Sequence, residues 1–211
     1  MRQRDAAPGV LIMLCLFGAI SVSVAAGTVY QPYDCEYFSA EYPSGWVVDR
    51  SLAAEEEGWM YTFMNPDDYV EGISLTVGAN KIMLRSTAPL DAIEGGLLNA
   101  PTRHFLDALD FKIGSTAVAS QNFTYKPYDG VYFSVEYPVS WGTQTVPFER
   151  YDGQIYSFAD STNNNNLLVT LHQFSSIDVV TFMINAPRSS VINGKFGAHV
   201  YHFIDTLRFK V

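Results

Sequence analysis

The feature that most constrains this chain is that it repeats itself. A shift of 95 residues lays Tyr30–Trp46 on Tyr125–Trp141 with 11 of 17 positions identical, and the same shift pairs Gly58, Tyr61 and Phe63 with Gly153, Tyr156 and Phe158. A shift of 94 pairs Ile73–Val77 with Leu167–Leu171, and a shift of 98 pairs Phe105–Ile113 with Phe203–Val211; the extra residues are expected near Gly194–Gly197. The chain therefore reads as repeat 1 over residues 27–113, a linker over 114–123 rich in small and polar residues, and repeat 2 over 124–211. Two copies are fewer than a solenoid needs to cover its ends, which leaves a tandem pair of small domains or one pseudo-symmetric domain. The linker is too short to let the copies move far apart.

Periodicity gives the fold class of each copy. Phe38, Ala40 and Tyr42 alternate with Tyr37, Ser39 and Glu41, as Phe133, Val135 and Tyr137 do in the second copy, which is the period of a half-buried strand. Pro43 and Pro138 are expected to end those strands. Strands carrying Trp46–Val48 and Trp59, Tyr61 and Phe63 follow, and the loop chemistry of Asn65–Asp68, or of Asp160–Asn166, leads into a fourth. Near the end of each copy the period changes: Thr102, Phe105, Leu106 and Leu109, and likewise Val200, Phe203, Ile204 and Leu207, fall at i, i+3, i+4, i+7. The expectation is an α+β protein of two tandem repeats, each a small antiparallel β-meander with a C-terminal amphipathic helix packed on it. Residues 81–99 and 175–193 are ambiguous; Leu90–Leu98 could form a short helix, whereas Pro187 argues for a break.

Residues 1–26 have the order of a signal peptide: Arg2 and Arg4, an apolar stretch from Val10 to Val24, then small residues suited to cleavage. That stretch falls short of the roughly 20 residues needed to cross a bilayer, which favours cleavage over a retained anchor. The expected location is secreted or at the cell surface, with an N-terminal membrane anchor only if the signal stays uncleaved. Cys15 lacks the preceding small residue of a lipid-attachment site, so no lipid anchor is expected there. Removing the signal leaves Cys35 as the one cysteine, either a buried free thiol or half of an intermolecular bridge. Asn122-Phe123-Thr124 is a glycosylation sequon.

Charge narrows the partners. The chain of 211 residues has 22 acidic and 13 basic residues, a formal net charge of −9, which argues against nucleic acid. The acidity is uneven: residues 27–121 carry 14 acids and 5 bases, and residues 122–211 carry 7 and 6. If charge guides a partner, a cationic one should meet the first half.

The opening Phe-Ser-x-Glu-Tyr-Pro-x-x-Trp at Phe38–Trp46 and Phe133–Trp141, with the closing segments Phe105–Phe111 and Phe203–Phe209, resembles the PsbP-like domain. That family includes the PsbP extrinsic protein of photosystem II and the Mog-type Ran-binding proteins. The resemblance implies an antiparallel sheet with flanking helices and a binding or assembly role, and it implies no enzyme activity. Each copy is shorter than that domain between the two motifs, so either each is a reduced sheet or the two complete one another.

Chemistry-bearing residues are few, and no nucleophile motif, phosphate-binding glycine loop or HExxH is present. His104 with Asp107, and His202 with Asp205, fall at i, i+3 on the closing helices, with His199 one turn before. The spacing places all of them on the solvated arc; a functional reading would be metal capture by His199 and His202 or a His–Asp catalytic pair. Asp67, Asp68 and Glu71 offer carboxylates to a hard cation such as Ca²⁺, without EF-hand spacing. Glu55–Glu57 reads as an exposed charge run. Tyr30, Tyr33, Tyr37, Tyr125, Tyr128 and Tyr132 are candidates for the seam between copies. No catalytic, cofactor-binding or metal-ligating residue is assigned and no cofactor is expected. The expected function is an exported, non-catalytic binding or assembly module whose partner is an unknown protein or cell-surface component, with no nucleic acid and no stable membrane insertion after cleavage. The alternative is an extracellular enzyme or metal-dependent protein using the His and Asp positions of the closing helices.

Overall fold

The computed structural model describes residues 28–113, 123–148, 153–160, 165–173 and 178–210. The segment expected to be a signal peptide, Asn122 and nearly all of the linker lie outside them. Repeat 1 runs β1 (Tyr30–Asp34), β2 (Phe38–Pro43), β3 (Val47–Ala53), β4 (Gly58–Met64), β5 (Gly72–Val77), β6 (Lys81–Pro89), α1 (Ala100–Ala108) and β7 (Asp110–Phe111). Repeat 2 has the same order: β8 (Tyr125–Asp129), β9 (Phe133–Pro138), β10 (Gly142–Phe148), β11 (Gly153–Asp160), β12 (Asn165–Gln173), β13 (Asp178–Pro187), α2 (Ala198–Thr206) and β14 (Arg208–Phe209). The fold is α+β with antiparallel sheets, as the periodicity indicates, and Pro43 and Pro138 are the last residues of their strands.

The copies complete one another. Strands β3–β6 and β10–β13 form one sheet of eight in the order β10-β11-β12-β13-β6-β5-β4-β3, joined by antiparallel pairing of β13 with β6. In that pairing Lys81 lies opposite Pro187 and Val179 opposite Pro89. A shift of 98 exchanges these two pairs, so a pseudo-two-fold axis passes between Arg85 and Met183, which face each other. The shift is still 94 where β5 and β12 pair with β4 and β11 (Leu75 on Tyr61, Val169 on Tyr156). It is 98 once Ile82 and Val180 are reached. The extra residues of repeat 2 therefore fall between Leu171 and Val180, not near Gly194–Gly197, because the longer β12–β13 connection absorbs them without disturbing the central pairing.

The two small sheets, β1-β2-β7 and β8-β9-β14, and both helices lie on one face of the large sheet. Phe38 meets Tyr61 edge-on, Tyr33 meets Tyr61 and Phe63 edge-on, Phe63 meets Phe105 of α1, and in repeat 2 Phe158 meets Tyr128 and Phe203. One contiguous core runs through both copies. The helical stripes are as spaced in the sequence, with Thr102, Phe105 and Leu106 buried on α1 and Val200, Phe203 and Ile204 on α2. The Ser86 and Thr102 hydroxyls bond to each other in the core, tying α1 to β6. The opposite face of the sheet carries Met60, Thr62, Ser74, Met83, Arg85, Thr87, Met183 and Asn185 at alternate positions. No helix among the described residues is long and apolar enough to cross a membrane.

The ambiguous stretches resolve into strand followed by a tight turn. Pro89 and Pro187 end β6 and β13, and a single 3-10 turn follows each, Leu90–Ala92 and Arg188–Ser190. The short helix weighed for Leu90–Leu98 is confined to that turn.

Among the described residues, Tyr30, Tyr33, Tyr37, Tyr125 and Tyr128 pack on rings of their own copy and not on the other copy's. Tyr33 packs on Phe38, Tyr42, Tyr61 and Phe63 of its own copy, and Tyr128 on Phe133, Tyr156 and Phe158 of its own. Besides β6 and β13, the seam holds reciprocal backbone bonds: Phe111 N–H donates to Gly194 O and Phe209 N–H to Gly96 O, both at 2.7 Å. Phe111 also meets the Phe196 ring edge-on at 5.1 Å. Backbone pairing, the Phe111–Phe196 contact and the Lys195 ammonium on the carbonyls of Asp107 and Leu109 join the copies, while the first-strand tyrosines Tyr33 and Tyr128 cover each copy's own aromatic core.

Candidate functional site

One side-chain constellation that recurs in both copies is a tyrosine, a histidine and a glutamate. On β2, Ala40 and Tyr42 turn inward, so Glu41 between them faces out, towards the helix above. His104 of α1 meets it, Nε2 to Oε2 at 2.7 Å, and the Tyr30 ring stacks on the imidazole with centroids 3.6 Å apart. In repeat 2, His202 meets Glu136 at 2.9 Å and stacks on Tyr125 at 3.6 Å. An ionised carboxylate can only accept, so in each contact Nε2 is placed to be the donor. Burial raises the Tyr30 and Tyr125 hydroxyls above the ordinary tyrosine range, with Glu71 adding to the effect at Tyr30.

These clusters fasten the closing helix to the opening strand. The carboxylate against each histidine comes from the strand, not from Asp107 or Asp205 on the helix as the i, i+3 spacing suggested. The Thr206 hydroxyl beside the second cluster is committed to backbone, accepting from Glu136 N–H at 3.0 Å and donating to His202 O at 2.9 Å. Glu41 and Glu136 were legible only as the outward member of an alternating strand. Their recurrence in both Glu-Tyr-Pro segments was the signal that marked them.

His199 is the clearest departure from the expected solvated arc. It is 7% exposed, set between Trp141 and Phe123 at ring distances of 5.2 and 4.9 Å, with no partner for Nδ1. Burial lowers its pKa to about 4, against a smaller opposing pull from Asp160. His199 and His202 thus face different neighbours and are not brought together as a ligand pair. Among the described residues no group of three or more His, Cys, Asp or Glu is placed to hold a metal ion.

The acidic loop is internally bonded. Glu71 accepts from Asn65 Nδ2 at 2.9 Å and from Asn99 Nδ2 at 2.8 Å, which ties the loop to the residue that precedes α1. Asp68 accepts from Val70 N–H at 3.0 Å in an Asx turn. Glu56 of the charge run is not free either, pairing with Lys81 at 2.7 Å.

One cluster belongs to repeat 1 alone. Arg50 pairs with Glu36 at 2.6 Å and lies over the Trp59 ring, 3.9 Å from its centroid. Below it, burial and then the adjacent Cys35 thiol push the Tyr61 hydroxyl well above the tyrosine range. Cys35 is a free, half-buried thiol donating to Phe38 O at 3.4 Å. Repeat 2 has Gly130, Val131, Thr145 and Gln154 in place of Cys35, Glu36, Arg50 and Trp59, so no repeat signal pointed to this group.

No protein-family model matches the chain, and no curated protein matches it by sequence.

Proposed function

We propose that the chain is an exported, non-catalytic binding or assembly module built from two PsbP-like units, with a protein or another cell-surface component as its partner. The observation that carries this reading is the division of labour in the eight-stranded sheet. One face is packed by both helices and both small sheets, while the other carries half-buried Met, Thr, Ser and Asn side chains around the exposed Arg85 at the pseudo-axis. The His–Glu pairs, the residues of catalytic type, hold helix to strand in both copies. A broad face with methionines suits contact with a macromolecule better than enclosure of a small substrate.

The experiment is cross-linking of the native protein on its own cells, repeated with Met83→Glu and Met183→Glu together. Capture lost with these substitutions and kept with His104→Ala and His202→Ala is the expected result. Turnover of an extracellular substrate that disappears with His104→Ala or His202→Ala would replace this reading with the enzymatic one.

A further inference from the structure

Among the described residues the large sheet ends in two edge strands of unequal character, β3 and β10. Edge strands leave a row of backbone N–H and C=O groups unpaired, and proteins protect them with charges, proline or a covering element. β3 carries Asp49 and Arg50 at its centre and belongs to the half with a surplus of acids. β10 reads Gly-Thr-Gln-Thr-Val-Pro-Phe, every residue from Gly142 to Pro147 is exposed, and none of its residues is charged. Its proline stands near the end, so Thr143–Val146 is left as a β-prone segment with open backbone.

We infer that β10 is a homotypic interface at which two copies of the chain pair β10 to β10, antiparallel, extending the sheet across a true two-fold axis. Three observations select a second copy as the occupant. Residues 122–211 carry 7 acids and 6 bases, so two such halves approach without repulsion, whereas two first halves with 14 acids and 5 bases each do not. An antiparallel pair of identical strands is self-complementary, which is what a two-fold contact requires. The chain already joins two equivalent units in this manner, strand edge to strand edge at β6 and β13. This inference is independent of the partner-binding role, which concerns the open face of the sheet; a monomer would leave that role standing.

The test is sedimentation equilibrium of the purified exported chain at micromolar to tens of micromolar concentration, beside a variant carrying Thr143→Lys and Thr145→Lys. The expected result is twice the monomer mass for the native chain and the monomer mass for the variant, with unchanged circular dichroism. Val47→Lys on the opposite edge should leave the dimer intact. Hydrogen exchange of the native chain supplies a readout free of substitution: amides within 143–146 should exchange at least tenfold more slowly at high than at low protein concentration. A monomer throughout, or a dimer that ignores the lysines and shows no concentration-dependent protection of 143–146, would overturn the inference.

Discussion

Lys195 Nζ donates to the carbonyl oxygen of Asp107 at 3.1 Å and also bonds to Leu109 O, closing the C-terminus of α1 from the other repeat. In repeat 2 the same task is done locally, with Arg208 donating to Asp205 O and Leu207 O at 2.7 Å. The aligned residue in repeat 1 is Asp110, which cannot donate, and the aligned residue of Lys195 is Leu97. One copy lacks the cap and the other supplies it, which makes the repeats mutually dependent beyond their shared sheet. A cation at the last carbonyls of a helix also opposes the negative end of its dipole.

Lys195→Leu, which installs the residue repeat 1 carries at that place, is expected to cost about 1 kcal/mol and to lower the melting temperature by roughly 2–4 °C. Arg208→Ala should cost about the same at α2, and the two losses should add within about 0.5 kcal/mol, since they act on different helices. Thermal unfolding of the single and double variants checks both statements.

The seam turns distinguish two adjacent glycines. Gly96 has φ 74 and a Cβ there would lie 2.6 Å from Phe209 O, while Gly95 has φ 59 with nothing within 4 Å. Gly95→Ala should cost about 1 kcal/mol for its left-handed backbone alone. Gly96→Ala adds a clash with the carbonyl of the strand it pairs with, and should cost at least 1 kcal/mol more, of the order of an overpacked core. Denaturant unfolding of the two variants with equal costs would contradict the seam geometry.

His199 makes stability depend on pH. Its pKa is about 4 in the fold against an ordinary value of 6.5, so the unfolded chain binds the extra proton between these values. The stabilisation from a neutral His199 is complete above about pH 6.5 and is lost as pH falls to about 4, with a total on the order of 3 kcal/mol. His199→Phe, which keeps an apolar ring between Trp141 and Phe123, should flatten this part of the profile. Urea midpoints measured from pH 7 to pH 4 should differ in slope between the two proteins; equal slopes would count against a buried neutral imidazole.

The His104–Glu41 contact is half-exposed, so a double-mutant cycle with His104→Ala and Glu41→Gln should give a coupling of only about 0.5 kcal/mol near neutral pH. The His202–Glu136 cycle should match it, because the ring, its stacked tyrosine and its carboxylate recur with nearly the same geometry. A coupling several times larger in one copy alone would mark that copy as functionally distinct.

The strand alternation of Phe38, Ala40 and Tyr42 and the stripe of Thr102, Phe105 and Leu106 were readable because each reports burial within one element, at a period set by that element's own geometry. His199 was misplaced for the same reason. Helical spacing puts it at the margin of the stripe, one turn before Phe203, and Trp141 of repeat 2 with Phe123 at the end of the linker encloses it. Glu41 and His104 stand 63 positions apart, so their pairing had no local trace, and the nearby Asp107 was the natural but incorrect partner.

The sequence by itself determined that there are two copies, that each is a meander closed by an amphipathic helix, and where the charge lies, since repetition, period and composition are properties of the chain taken locally. Only the tertiary structure decided that the copies share one sheet, that Phe111 and Phe209 bond reciprocally across the seam, and that Lys195 caps a helix of the other repeat. Those outcomes depend on which edges and carbonyls meet in space. Backbone pairing uses groups that every residue except proline carries in full, so residue identity gives no mark by which β6 could be seen to choose β13.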